Sequence, residues 1–540
     1  VKKKVKRKEK KNKKENTRKP VGKKIKDKKK AVRKLKKGRN PVVLITIDGW
    51  GIRNKKEGNA VLQAETPNID RLIEEYPHTK LKTSGTSLGL PKGIAANEKS
   101  SYISMGAGRK TEHEITEINK AIEDSSFFTK DIFLETVKNV KNSGKKLHII
   151  GLLSDGGINS HIKHFLAMLD LAHYHFLDKV YIHIITDGID DPHKKAKRYL
   201  RNLQNKIEKI NTGKIASIIG RHYVLDKNKN WKYQKKAYDL WVKKKGRLLR
   251  DPMEAINMAY RNNKTDDLIE PVILDQRSEI DEGDSIVFLN FYSEGMENIV
   301  RAFKDKKFKK FPVKRFGELN VVCLTEYNKN LDVKVVFPQK EIKNNLAEYL
   351  SKKGISFIKI GETEGYDNIT RFFNGGRDIC YKTEKRAIIK SSKTEDPAKK
   401  PGMKAEKIAE EAVKAIKKRR CEFILVNFTN PSTIAMTGNI KAAKKAIEKV
   451  DESLGKITEL IKKKNIYGIV AGTYGNAEFM EDKYGLPNKT YTTNYVPFIL
   501  LRKRYSMNKK SAKIIDIAPT ILHLLKIKPP EEMDGKDLIK

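Results

Sequence analysis

PVVLITIDGWG, residues 41–51, is an apolar, β-branched run that ends on an aspartate and two closely spaced glycines. Uninterrupted hydrophobicity from Val42 to Ile47 predicts a strand covered on both faces, as in a parallel sheet flanked by helices. Asp48 then stands at the strand's carboxyl end, where open α/β sheets place their sites. Used for a divalent cation, that carboxylate needs further hard anions, hydroxyls or imidazoles around it. Outward from this strand the chain alternates. Runs such as LHIIGLLSD, VYIHIIT, KIASIIG, SIVFLNF, VVCLTE, VKVVF, FIKIGE, FILVNF, IYGIVAG and VPFILL read as strands. Between them TPNIDRLIEEY, KHFLAMLDLAHYH, AKRYLRNLQNKIEKI, KEIKNNLAEYLSKK, KAEKIAEEAVKAIKK and AAKKAIEKVDESLGKITELIKK carry the helical period. The expected class is α/β, with parallel sheets and helices on both faces.

A chain of 540 residues is too long for one core, and two domains are expected. No long uncharged apolar stretch predicts a membrane span, and no apolar signal core opens the chain. Cys323, Cys380 and Cys421 are too scattered for a zinc pattern or a disulfide framework, which fits an intracellular, cytoplasmic setting. Lys and Arg number 114 against 67 Asp and Glu, for a net charge of +47. Residues 1–39 are Lys-rich with few apolar side chains, so a disordered tail is expected there. The excess of charge points to a polyanionic partner, RNA or a ribonucleoprotein first. Sparse arginine and absent aromatic interleaving in the tail argue against base-specific readout.

The order of short motifs resembles the cofactor-independent (2,3-bisphosphoglycerate-independent) phosphoglycerate mutases of the alkaline phosphatase superfamily. The matching segments include DGWG, EGNAVLQAETPNIDRL, MGAGR, LLSDGGINSHIKHF, TDGIDDP, KIASIIGRHYVLD, NFTNP, GNAEFMEDKYG, TTNYVPFILL and DIAPTILHLL. The resemblance implies a phosphatase-like domain from residues 40–111 and 340–540, interrupted by a phosphotransferase-like domain at 112–339. It also implies two manganese ions, a serine that carries phosphate, and basic residues that grip phosphoglycerate.

Position by position, this chain departs from that pattern. Asp48 matches the first metal aspartate. Glu98 stands at the nucleophilic serine, with Ser100 and Ser101 able to replace it only through a slip of the backbone. Ser432, Met436, Thr473, Tyr474 and Tyr491 occupy the remaining metal positions, where thioether, hydroxyls and phenols are poor ligands for a hard ion. Asp155, Asp190, Arg221 and Lys227 are left as substrate-binding remnants. Asn159, Ile189, Tyr292, Gly295 and Gly365 stand where the family has histidine, arginines and lysine. His161 and His164 are read as packing or capping groups.

The expectation drawn from these losses is a catalytically degenerate mutase-like protein, a pseudoenzyme whose manganese pair is gone, kept as a binding or structural component for a polyanion. Tyr102, Tyr292, Tyr474, Tyr491 and Met436 are expected to fill the former cleft. The alternative is an active mutase with a rearranged site, converting 3-phosphoglycerate to 2-phosphoglycerate.

Overall fold

A computed structural model describes residues 40–226, 230–292, 295–392, 394, 396–482, 485–508 and 511–540. The tail of residues 1–39, expected to be disordered, and Lys227 lie outside the described residues. Strand β1 (Val42–Gly49) is buried along its whole length, as its apolar run requires. It is followed by β2 (His78–Leu81). The chain then builds a separate sheet from β3 (Leu147–Leu153), β4 (Val180–Thr186), β5 (Lys214–Gly220), β6 (Arg247–Leu248), β7 (Val272–Ile273), β8 (Ser285–Phe288), β9 (Asn320–Thr325) and β10 (Lys334–Phe337). It returns to the first sheet with β11 (Phe357–Glu362), β12 (Glu384–Ile389), β13 (Phe423–Phe428), β14 (Tyr467–Gly475) and β15 (Val496–Leu500).

The first sheet runs in the order β12-β11-β13-β1-β14-β15-β2, and the second in the order β10-β9-β8-β3-β4-β5-β7-β6. Pairing is parallel except where β15 meets β14 and β2, and where β7 meets β5. This is the expected mixed α/β class with two largely parallel sheets. β1 lies between β13 and β14, so Thr46 faces Asn427 on one side and Ala471 on the other. Helices Ala405–Lys418 and Ile440–Lys464 cover the first sheet through small and branched residues such as Ala409, Ala412, Ala446 and Ile447.

Strands β2 and β12 escape the sequence reading because both lie at sheet edges and keep one side in water. Edge strands carry polar residues that erase the apolar run. The helix expected over KEIKNNLAEYLSKK is confined to Leu346–Lys352, because the Asn345 side chain accepts from Glu348 N and caps it there.

The second sheet carries a buried polar ladder. Asp284 accepts from His148 Nε2 at 3.2 Å, His148 Nδ1 lies 3.0 Å from His183 Nε2, and His183 Nδ1 lies 2.8 Å from Ser217 Oγ. With both rings neutral the directions are unique: Ser217 donates to His183, His183 to His148, and His148 to Asp284. Burial lowers both imidazole pKa values from the ordinary 6.5. The neutral ladder therefore stabilises the fold fully above pH 6.5, and its contribution is lost as pH falls toward the depressed values. Ser217→Ala leaves His183 Nδ1 without a donor and is expected to cost about 1–3 kcal/mol in a denaturant titration. Ring signals of His148 and His183 in NMR are expected to stay neutral as pH passes below 6.5.

Candidate functional site

The carboxyl ends of β1, β13 and β14 converge on Asp48, which is completely buried. Its Oδ1 accepts from Tyr102 Oη and Thr473 Oγ1, each at 2.7 Å. Its Oδ2 accepts from Asn368 Nδ2 at 3.0 Å and Asn427 Nδ2 at 3.1 Å. Burial raises the carboxyl pKa, and the four hydrogen bonds pull against that rise. Gly49, at φ +83°, lets the next turn run against the helix Asn430–Ala435; a Cβ there would lie 2.7 Å from the Ser432 backbone.

The helix Glu98–Ala107 begins where Asn97 Oδ1 accepts from Ser100 N and Ser100 Oγ accepts from Asn97 N. This capping box fixes the register. Ser100 is spent on the cap and Ser101 donates to Thr473 O, so no backbone slip brings either to the place of Glu98. Tyr491 Oη lies 2.7 and 2.9 Å from the two Glu98 oxygens, and its ring meets Tyr474 edge-on at 5.5 Å. Tyr474 Oη and Asn476 Nδ2 both donate to Ser432 Oγ at 3.2 Å. Met436 lies on the wall of the neighbouring cavity.

On the second sheet, Asp187, Asp190 and Arg221 follow the carboxyl ends of β4 and β5. Arg221 Nη1 donates to Asp187 at 2.6 Å and to Asp190 at 2.7 Å. Asn159 Nδ2 donates to Asp190 at 2.7 Å. Burial pushes Asp190 up to about 6, against the pull of Arg221. Asp155 is turned toward Tyr199, whose hydroxyl also reaches Asp191, and does not line the cavity. His161 accepts from Lys163 N at its helix start, and His164 pairs with Asn119.

Between the two sheet edges lies a cavity of about 500 Å³, lined among others by Arg221, Lys400, Lys489, Ser391, Met436 and Tyr491. A second, of about 380 Å³, shares Tyr292, Glu364, Thr433 and Met436 with it and reaches Glu98 and Ser432. The expectation that bulky residues fill the cleft is corrected: Tyr292, Tyr474, Tyr491 and Met436 form walls, while Tyr102 is turned away onto Asp48. Two further positions are sealed. A Cβ on Gly365 would come within 2.4 Å of Thr429 and 2.6 Å of Asn427, and one on Gly295 within 2.5 Å of the Leu225 backbone. Neither accepts a long basic side chain without displacing its neighbours. Asn368, Asn427, Asp187, Tyr199 and Lys489 were not singled out in the sequence. Their types are common, and only the fold brings them to the site.

The donor set does not fit two manganese ions. Asp48 has its lone pairs occupied, and the other positions offer hydroxyls, phenols and a thioether. Among the described residues no group of three His, Cys, Asp or Glu side chains gathers around one point.

Glu362, at the end of β11, is 1% exposed; Ser391 donates to Oε2 at 2.9 Å, and Oε1 has no partner. Burial raises its pKa to about 7 from 4.5. The fold therefore favours the protonated acid, and ionisation costs stability as pH rises from 4.5 through 7. Glu362→Gln is expected to gain on the parent by up to about 3 kcal/mol between pH 5 and pH 8, read from denaturant midpoints.

Residues 118–329 match the family model described as the BPG-independent PGAM N-terminus. The 2,3-bisphosphoglycerate-independent phosphoglycerate mutase of Clostridium botulinum is 38% identical over 508 residues, covering 93% of this chain and 100% of its own. That of Staphylococcus epidermidis is 35% identical over 503 residues, covering 93% and 99%. The crystal structure of Leishmania mexicana phosphoglycerate mutase at low cobalt concentration superposes with a TM-score of 0.84 at 26% identity, covering 94% and 99%. These matches overturn the expectation of a degenerate pseudoenzyme serving a polyanion or RNA. Similarity that runs the length of named mutases favours the alternative, an active enzyme. No helix among the described residues is long and apolar enough to cross a membrane. The chain belongs to the 2,3-bisphosphoglycerate-independent phosphoglycerate mutase family of the alkaline phosphatase superfamily.

Proposed function

We propose that this chain interconverts 3-phosphoglycerate and 2-phosphoglycerate through a rearranged site in the cleft between its two sheets. The observation that carries this reading is the 38% identity to a mutase matched along its entire length. The cleft adds physical support. A phosphoglycerate brings a phosphate and a carboxylate, and Arg221, Lys400 and Lys489 place three cations on the wall of the larger cavity. Asp187 and Asp190 hold the Arg221 fork in one orientation, so it meets an anion already positioned.

Such a cycle needs a group on the protein that carries phosphate between the two glycerate oxygens. Glu98 takes the family serine's place, and no step runs through a metal pair that the donor set does not accommodate. We assign the carrier role to the Ser432 hydroxyl, which lines the second cavity and accepts from Tyr474 and Asn476. They take both lone pairs of the hydroxyl, so the pair that attacks is the one freed as its proton leaves, and the two donors stabilise the alkoxide charge that builds there. Ser432 Oγ bonds to phosphorus as the ester bond to glycerate breaks on the opposite face, and the serine proton passes by way of a phosphoryl oxygen to the departing glycerate oxygen. Reversal at the neighbouring hydroxyl completes the exchange.

Formation of 2-phosphoglycerate from 3-phosphoglycerate, followed in a coupled assay, is the test. Turnover is expected in the parent, falling to the buffer level in Ser432→Ala, with phosphate from labelled substrate recovered on Ser432. No turnover in the parent, with manganese or without it, overturns the mutase reading. Turnover untouched by Ser432→Ala overturns the carrier assignment alone.

A further inference from the structure

Whether a cation reaches the first sheet's carboxyl edge is decided by the surroundings of Asp48. An ionised carboxylate offers about four lone-pair directions. Tyr102, Thr473, Asn368 and Asn427 fill them, two on each oxygen. Asp48 lines neither cavity of the cleft and has no exposed surface.

The donors are themselves anchored. Tyr102 Oη accepts from Asn427 Nδ2 at 2.7 Å, and its single proton has Asp48 Oδ1 at 2.7 Å and Thr46 Oγ1 at 3.0 Å, the carboxylate being the nearer and stronger acceptor. Thr473 sits on β14 and Asn427 on β13, both paired in register with β1. Asn368 opens a single π-helical turn, Asn368–Phe372, which packs on the helix that carries Tyr102; a Cβ on Gly106 of that helix would come within 2.3 Å of Phe373 O. The neighbouring positions are equally occupied: the Tyr474 hydroxyl on Ser432, and the Tyr491 hydroxyl on Glu98.

We infer that Asp48 is the hub of a closed hydrogen-bond clamp standing in place of a metal centre, which joins β1, β13, β14, the helix Glu98–Ala107 and the π-helical turn without any divalent cation. A cation claiming Asp48 would have to displace at least one donor, and one from each oxygen if it bound both. The displaced phenol, hydroxyl or amides would then lie unpaired in a dry interior. The clamp also explains why an acid persists on a buried strand end: an apolar residue there orphans Thr473 and Asn368 and leaves Tyr102 and Asn427 only their neutral acceptors. Asparagine keeps one acceptor oxygen for Tyr102 and Thr473 but sets its own amide against those of Asn368 and Asn427, so it relieves only half of that loss. This inference stands on the geometry of Asp48 alone and holds whether or not the chain turns over phosphoglycerate.

The test titrates manganese chloride into the full chain, with free ion counted by electron paramagnetic resonance and melting temperature recorded with manganese and with EDTA. Expected are no saturable uptake dependent on Asp48 and a melting temperature indifferent to either reagent. Asp48→Asn is expected to melt between the parent and Asp48→Ala. Saturable uptake lost in Asp48→Asn overturns the clamp, as does a parent stabilised by manganese and weakened by EDTA. Asp48→Asn melting as low as Asp48→Ala also overturns it. Uptake unchanged in Asp48→Asn places the ion elsewhere and leaves the clamp standing. Where Asp48→Ala fails to fold, the titration of the parent and Asp48→Asn still decides. A mutase assay on the same samples reports separately on the catalytic reading.

Discussion

A carboxylate buried at the end of a central strand has to be satisfied from all sides, and the first sheet is arranged around that demand. Removing an ion from water costs several kcal/mol even after relaxation. Hydrogen bonds to a charged group return about 1.5–3 kcal/mol each, so four of them suffice to hold Asp48 in place. Its donors come from residues 102, 368, 427 and 473, far apart in sequence. They meet only because β13 and β14 flank β1 and because the helix Glu98–Ala107 packs over the strand ends. The polar network and the topology therefore specify one another.

The same rule holds across the cleft, where buried polar groups are joined to each other. Tyr199 bridges Asp155 and Asp191, and Arg221 is shared by Asp187 and Asp190. Gly365 and Gly295 are backed by neighbours that leave no room for a side chain. Departures from the family pattern thus come with matching partners. Tyr474 donates to Ser432, Tyr491 to Glu98, and Thr473 and Tyr102 to Asp48. Such reciprocity is what a packed interior requires, since a half-satisfied polar network is costly.

Most of the architecture was readable from residue order. The buried strands carry apolar runs that only a sheet covered on both faces explains, and the long helices carry the 3.6-residue period. Edge strands β2 and β12 were lost because exposure removes the pattern that signals them. At the site, the metal-position residues could be named from motif spacing, but their partners could not. Asn427 lies inside the NFTNP segment and Asn368 inside NITRFF, and neither type nor spacing marks them as donors to a carboxylate 320 or more residues away. The inference from missing ligands to missing function failed for a different reason. It set chemistry at single positions above the similarity sustained along the chain, which the relatives carry to 38% identity over 93% of it.

On the mutase reading, the physical question becomes how phosphoryl transfer is supported by neutral donors and fixed cations. Metal ions and basic side chains both act by offsetting charge on the transferring group, and a preorganised donor contributes in the same way at lower field strength. Tyr474 and Asn476 converge on Ser432 Oγ, and burial keeps Tyr474 a phenol, its pKa well above the ordinary value. A phenol in that state donates without ever competing for the phosphate's protons. Arg221, held between two acids, keeps its charge, but much of that charge is already answered by Asp187 and Asp190. On that reading the net field on a bound phosphate is weaker than two metal ions would provide, and the barrier would fall less. On the mutase reading slower chemistry is the consequence of the proposed clamp: a site organised by hydrogen bonds around Asp48 would keep its geometry without an ion and forgo the electrophile the ion would bring.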